Sequence, residues 1–137
     1  MSTHPYLRAY MGGICVPTVF VLFIFAFFCA ARFVYKIDVP LERGIVFPLA
    51  LVPNLWGVWN ILYVALHGRR RLPLGLHGVL LPVIIFPAAM LVVRAVVGPL
   101  PAFFVTVMSL AVPVVLIAYY LVWKYLVGFF NRMLGIA

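Results

Sequence analysis

Charged side chains are scarce in this chain, and acidic ones are nearly absent. Of its 137 residues 9% are charged and two are acidic, whereas soluble domains average about 25% charged residues. Apolar residues make up 68% of the sequence. A soluble domain of this length cannot hide so much hydrocarbon from water, and a disordered chain would be polar and poor in aromatics. The composition therefore excludes both classes and predicts an integral membrane protein.

Side chains that carry out chemistry are also missing. The four long apolar runs contain no Asp or Glu, whereas proton-coupled transporters normally need a titratable group inside the membrane. Cys15 and Cys29 would lie about 21 Å apart along one helix, too far for a disulfide, and there is no Cys-x-x-Cys pair. No motif combines a nucleophile, a base and a group that stabilises charge. We therefore predict no enzymatic activity and no cofactor.

Four apolar runs are long enough to cross a bilayer, which takes about 20 residues per helix. We place helices near residues 14–36, 45–67, 76–97 and 102–126, followed by a tail near 127–137. The first run exceeds the apolar region of a cleaved signal peptide, roughly 7–15 residues, so we expect it to be retained. Short connections favour antiparallel neighbours. The predicted fold is an all-α, up-down four-helix transmembrane bundle that forms a single transmembrane domain over residues 1–137.

The positions of the cations predict the orientation of this bundle. Both termini lie on one side, together with Arg8, Arg69, Arg70, Arg71, Lys124 and Arg132. The other side carries fewer cations, namely Arg32, Lys36, Arg43 and Arg94. Because cytoplasmic loops are enriched in Lys and Arg, we predict that both termini are cytoplasmic (N-in, C-in) and that the tail lies along the cytoplasmic face. We expect a multi-pass protein of the bacterial cytoplasmic (inner) membrane.

The second predicted helix holds the densest group of polar and aromatic side chains, at Asn54, Trp56, Trp59, Asn60 and Tyr63. At about 100° per residue the three aromatic residues share one face, with Asn60 at its flank and Asn54 pointing elsewhere. An amide deep in a membrane needs a hydrogen-bonding partner, because hydrocarbon offers none. The segment is either an aromatic ligand pocket or, as we favour, a helix-packing surface in which Asn60 bonds to a neighbouring helix.

Small residues and prolines suggest where the helices pack and begin. Two stripes are predicted to be buried, one on the first helix and one on the fourth: Cys15, Thr18, Leu22, Ala26 and Cys29, and Thr106, Ser109 and Pro113. The pattern Gly-x3-Pro recurs at 13–17, 44–48 and 78–82. We interpret it as a helix-start signal, since proline in a first turn loses no helical hydrogen bond. An inverted repeat of the transporter kind is the less favoured interpretation.

Basic side chains suggest two anion sites. Arg32 and Arg94 lie near helix ends, on the same side as Asp38 and Glu42. They could form an anion or lipid-headgroup site, although snorkelling with loose ion pairs is the simpler interpretation. The loop of three arginines at 69–71 could likewise bind anionic lipid or a partner, or simply set the topology.

The predicted function follows from this combination of features. We expect a structural, accessory or partner-binding membrane subunit, in contact with the lipid bilayer and with other membrane subunits or a second copy. The net charge of +8 lies between apolar runs, so we expect no nucleic-acid partner. The alternative is a small homodimeric carrier or channel that uses the segment at 54–63. A haem-binding or enzymatic subunit comes third, because His67 and His77 flank one loop but have no third ligand.

Overall fold

The computed structural model describes residues 4–37, 51–67, 72–98 and 102–136. In these ranges every regular element is helical: α1 is Pro5–Phe33, α2 is Val52–His67, α3 is Leu74–Val97, α4 is Ala102–Leu121 and α5 is Gly128–Met133. A π-helical segment, Val122–Val127, joins α4 directly to α5. The all-α prediction is therefore confirmed for the described part of the chain. The start of the second predicted helix, at 45–50, lies outside it.

The chain divides into two compact units. The first unit comprises Met1–Arg70 together with Phe129–Ala137, and the second comprises Arg71–Gly128. Two helical stretches of the described chain are long and apolar enough to cross a membrane, Pro5–Phe33 and Val105–Met133, with mean hydropathies of 2.6 and 2.3. Val52–Leu66 and Leu74–Ala88 are shorter apolar helices.

Helix α1 begins at Pro5 and not near residue 14. Proline suits the first helical position because its missing N–H would have no intrahelical partner there. The sequence predicts a later start because the apolar run begins at Ile14 and the Gly-x3-Pro pattern at 13–17 resembles a helix start, which places Gly12 and Gly13 at or before that start. Both glycines are instead buried within the helix, where each costs up to about 1 kcal/mol relative to alanine. Close contacts with other helices of the first unit compensate for this cost.

Where the structure describes it, at 13–17 and 78–82, the Gly-x3-Pro pattern does not mark a helix start. Pro17 lies inside α1 and Pro82 lies inside α3, each beyond the first turn. A proline within a helix leaves the carbonyl four residues earlier without its usual donor, and in both helices that residue is a glycine, Gly13 or Gly78. Both glycines lie against a neighbouring helix of their own unit. The pattern therefore accompanies close helix contacts. The third copy, at 44–48, lies outside the described residues.

The two predicted small-residue stripes are not the buried faces. On α1, Leu22 is 53% exposed, and the buried residues are instead Ala9, Gly12, Gly13, Pro17 and Val21. On α4, Thr106, Ser109 and Pro113 are all exposed. The Thr106 hydroxyl donates to the Ala102 carbonyl at 3.0 Å and the Ser109 hydroxyl donates to the Val105 carbonyl at 2.8 Å. Because both hydroxyls bond within their own helix, neither needs a neighbour.

The C-terminal residues form helix up to Met133. The sequence prediction ended the fourth helix at 126 and placed a surface tail near 127–137. In the structure Val127 and Asn131 are both fully buried. The helix continues because these two side chains have interior partners, which an isolated tail would lack.

Candidate functional site

Two asparagines form a buried, reciprocal pair in the first unit. Nδ2 of Asn131 in α5 donates to Oδ1 of Asn60 in α2 at 3.1 Å, and Nδ2 of Asn60 donates back to Oδ1 of Asn131 at 2.8 Å. Nδ2 of Asn60 also donates to the Ala9 carbonyl of α1 at 2.7 Å. Both asparagine side chains are fully buried. These three residues, here called the amide clamp, connect three helices that are distant in sequence.

Glycines let α1 approach the amide clamp closely. A Cβ atom on Gly12 would lie 2.7 Å from Oδ1 of Asn131, and one on Gly13 would lie 2.6 Å from the Trp56 carbonyl oxygen. Neither distance leaves room for a methyl group, because Cβ atoms rarely come within 3.0 Å of a non-bonded atom. Any side chain at these positions would force the helices apart. The short backbone separation brings the Ala9 carbonyl within reach of Asn60.

Polar contacts on either side of the amide clamp hold the same helices. The Tyr10 hydroxyl donates to Oδ1 of Asn54, which joins α1 to α2. Nη1 of Arg8 donates to the Leu134 carbonyl at 3.3 Å, which joins α1 to the residues after α5. Gly135, at a φ of 66°, ends α5 in the left-handed conformation that glycine adopts without strain. The C-terminal segment is thus attached at several points.

The aromatic residues predicted as a site are mostly interior side chains of the first unit. Trp56 and Tyr63 are 7% and 9% exposed, and Trp59 is half-buried. Asn60 is buried beside them, whereas Asn54 is exposed. Helix α2 therefore carries one fully buried amide, Asn60, and one exposed amide, Asn54. Sequence analysis missed Asn131, although the chain has only three amide side chains in all and Asn60 needed a partner.

The anion-site hypotheses stay predictions. Arg32 is partly exposed in the first unit, and Arg94 is exposed in the second. The two acidic residues, Asp38 and Glu42, lie outside the described residues, and so does the arginine loop at 69–71. The structure therefore gives no geometry for either site.

His77 is a packing residue of the second unit. Its side chain is 4% exposed, and its ring meets Trp123 edge to face with centroids 6.0 Å apart. The His67 side chain lies outside the described part of the structure. Across the described ranges no three His, Cys, Asp or Glu side chains cluster as metal ligands. The position of His77 gives no support to a haem or metal site.

Helix α3 packs closely against α4 and the π-helical segment in the second unit, at a contact between Gly75, Gly78, Tyr120 and Trp123 that is here called the seam. A Cβ atom on Gly75 would lie 2.7 Å from the ring of Tyr120, and one on Gly78 would overlap Trp123. Nζ of Lys124 lies 5.5 Å from the centroid of the Tyr120 ring and 5.2 Å from that of Tyr125. Both distances allow a cation–π interaction. These contacts position the exposed ammonium group of Lys124 beside the seam.

A cavity of about 380 Å³ lies further along the same two helices. Its walls are entirely apolar and come from α3 and α4: Pro82, Val83, Phe86, Pro87, Ala111, Val112, Val115 and Leu116. Prolines inside a helix remove a hydrogen bond and displace the preceding turn, which gives a physical reason for imperfect packing here. The sequence did not predict this cavity.

Comparisons with known proteins do not identify the chain. It matches no protein-family model, no curated protein and no solved structure. The features of the chain that bear on its function are the amide clamp, the seam and the apolar cavity.

Proposed function

We propose that this chain is a small multi-pass integral membrane protein that acts as a structural or partner-binding subunit. In this proposal it is a four-span, up-down bundle of the bacterial inner membrane with both termini in the cytoplasm. The observation that carries the proposal is the amide clamp, in which two fully buried amide side chains are hydrogen-bonded to each other. The described part of the chain thus keeps its buried amides hydrogen-bonded in the interior, while many of its exposed side chains are apolar.

The exposed residues support a lipid environment. On α1, Phe20, Phe23 and Phe27 are 66%, 72% and 71% exposed, and their spacing places them on one side of the helix. Soluble proteins rarely expose apolar patches larger than a few hundred Å². In lipid this exposure has no hydrophobic cost, and the same side chains are available to a membrane partner.

The saturation of Asn60 argues against a carrier that uses this residue for a polar solute. A neutral amide has two N–H donors, and Nδ2 of Asn60 bonds to the Ala9 carbonyl and to Asn131. A solute could engage these donors only by displacing the helices that they hold. The proposed structural role requires no such opening.

Extraction and labelling test insertion and topology. In a background with Cys15→Ser and Cys29→Ser, a membrane-impermeant maleimide should label Ala102→Cys, at an exposed position, on intact spheroplasts. It should label His4→Cys and Ile136→Cys only after the membrane is disrupted. Alkaline carbonate should leave the chain in the pellet. Release into the supernatant would contradict the membrane assignment, and the opposite labelling pattern would contradict the orientation.

Proteoliposome flux separates a structural subunit from a carrier. We expect no ion or small-solute flux above protein-free liposomes. The informative variant is Asn54→Leu, because Asn54 is exposed and outside the amide clamp. Tyr10→Phe is its matched control, since it removes the same hydrogen bond but keeps the amide. Flux that is present in the native chain, lost in Asn54→Leu and kept in Tyr10→Phe would replace our proposal with a carrier.

A further inference from the structure

The cavity of the second unit is large enough to hold a ligand and too apolar to hold water. Its volume of about 380 Å³ exceeds the ~150 Å³ of an engineered apolar cavity that stays dry and binds benzene. It also falls within the roughly 300–1,000 Å³ of small-molecule pockets. An ordered water needs two to four polar partners, and no lining side chain supplies one. The cavity therefore suits a hydrocarbon group.

The cavity opens on the surface of the second unit. Three of its lining residues, Val83, Phe86 and Val115, are themselves 48%, 38% and 41% exposed. A hydrocarbon chain could therefore enter from the side without separating the two helices. In the proposed membrane setting, the molecules that offer such chains at this surface are lipids.

A cation lies in line with this cavity along the seam of α3 and α4. Leu116 lines the cavity, and Tyr120 follows it one helical turn later, with its ring against Gly75 of α3. Nζ of Lys124 lies over that same ring. Lys124 therefore lies about two helical turns beyond Leu116 and beside the ring of Tyr120, and its positive charge is complementary to a phosphate.

The depth of the cavity below Lys124 agrees with the length of a lipid. Leu116 and Ala111 precede Lys124 by eight and thirteen residues, which at about 1.5 Å per residue places the cavity roughly 12–20 Å from it along the helix. One leaflet of the hydrocarbon core is about 15 Å thick, half of ~30 Å. A lipid with its phosphate at Lys124 would thus bring the lower part of an acyl chain to the cavity.

We propose that the second unit binds one anionic phospholipid, with its phosphate at Lys124 and the lower part of one acyl chain in the cavity between α3 and α4. Tyr120 and Tyr125 hold the lysine at the level of the headgroup. This inference rests on the proposed membrane location but adds a binding site, a ligand class and the residues that recognise it.

Photo-crosslinking tests the site in proteoliposomes of phosphatidylcholine that contain a minor fraction of phosphatidylglycerol with a diazirine in its acyl chain. Cross-links mapped by mass spectrometry should concentrate on residues 82–87 and 111–116. The same probe with a phosphatidylcholine headgroup should label these residues about fivefold less, the effect of about one basic side chain near an anionic lipid. Labelling spread evenly over the exposed face of α1 would indicate surrounding lipid only and would overturn the proposal.

Matched variants separate the acyl site from the headgroup site. Ala111→Leu fills the cavity and should abolish the concentrated labelling, whereas Ala118→Leu makes the same change at an exposed position of α4 and should leave it intact. Lys124→Gln should remove the preference for phosphatidylglycerol, whereas Arg132→Gln, at another exposed cation, should preserve it. Far-UV circular dichroism confirms that each variant is folded. If Ala111→Leu behaves like Ala118→Leu, the acyl-chain site is refuted. If Lys124→Gln behaves like Arg132→Gln, the headgroup site is refuted.

The result also distinguishes this inference from the proposed function. If the chain resists carbonate extraction but shows no concentrated labelling, only the lipid site is wrong. If an isoprenoid diazirine labels the cavity in preference to the acyl probe, the proposed ligand is wrong. If the chain does not enter proteoliposomes at all, the membrane assignment fails and the lipid site fails with it.

Discussion

Replacing Asn60 by Leu tests the amide clamp, because leucine has a similar size but no hydrogen-bonding group. The substitution removes three hydrogen bonds, two to Asn131 and one to the Ala9 carbonyl. Interhelical hydrogen bonds in membrane proteins average about 0.6 kcal/mol each, which gives ~2 kcal/mol for the three. The amide of Asn131 is then buried without its partner, which adds about 1–3 kcal/mol. We expect a total loss of roughly 3–5 kcal/mol.

The double substitution is more informative than either single one. Asn131→Leu leaves Asn60 its bond to the Ala9 carbonyl, so we expect a smaller loss of about 1–3 kcal/mol. In Asn60→Leu/Asn131→Leu no amide is left buried without a partner, and two apolar side chains face each other. The double variant should therefore be more stable than the sum of the single losses predicts, by about 1–3 kcal/mol.

Hydrogen-exchange mass spectrometry in detergent micelles measures these losses as opening free energies of the α5 amides. Val58→Leu is the control, since it places leucine at a 57% exposed apolar position of the same helix and should change the opening free energy by no more than about 0.5 kcal/mol. If the two single losses add without a coupling term, the asparagines do not form the pair described here. The structural role assigned to the amide clamp would then be refuted.

Two further predictions concern glycines of the first unit and its C-terminal end. Gly13→Ala should lower the free energy of unfolding of the detergent-solubilised chain by about 1–3 kcal/mol, because its Cβ would lie 2.6 Å from the Trp56 carbonyl oxygen. Thermal denaturation followed by circular dichroism measures this loss. Gly128→Ala is the control, because its nearest contact would be an ordinary 3.4 Å to Leu74, and it should be neutral or stabilise by up to about 1 kcal/mol. A similar loss in both variants would contradict the close approach of α1. Gly135→Ala should increase hydrogen exchange in α5, since a φ of 66° costs alanine about 1–2 kcal/mol. Gly135→Asn should exchange more slowly than Gly135→Ala, and equal rates would argue against the left-handed cap.

Local patterns in the sequence were sufficient to predict helices but misjudged where some of them begin and end. The apolar run from Ile14 and the Gly-x3-Pro pattern at 13–17 predict a first helix that starts near residue 14, so that Gly12 and Gly13 lie at or before its start. The structure includes both in α1, because their lack of a side chain permits contact with α2 and α5. The residues after Leu126 are likewise predicted to be a surface tail, whereas in the structure they are helical. The difference arises because Asn131 has a buried partner, Asn60, which is 71 residues away in the sequence. Propensity and periodicity carry no information about contacts of that range.

The sequence by itself determined that this chain is apolar and helical, and that Asn60, deep in an apolar helix, needs a hydrogen-bonding partner. These conclusions depend on composition and on the cost of burying polar groups, which act residue by residue. Only the tertiary structure decided that Asn131 is the partner, that His77 packs on Trp123, and that α3 and α4 leave an apolar cavity in line with Lys124. These features arise where segments distant in the sequence meet, so they depend on the relative position of whole helices, which no local pattern specifies.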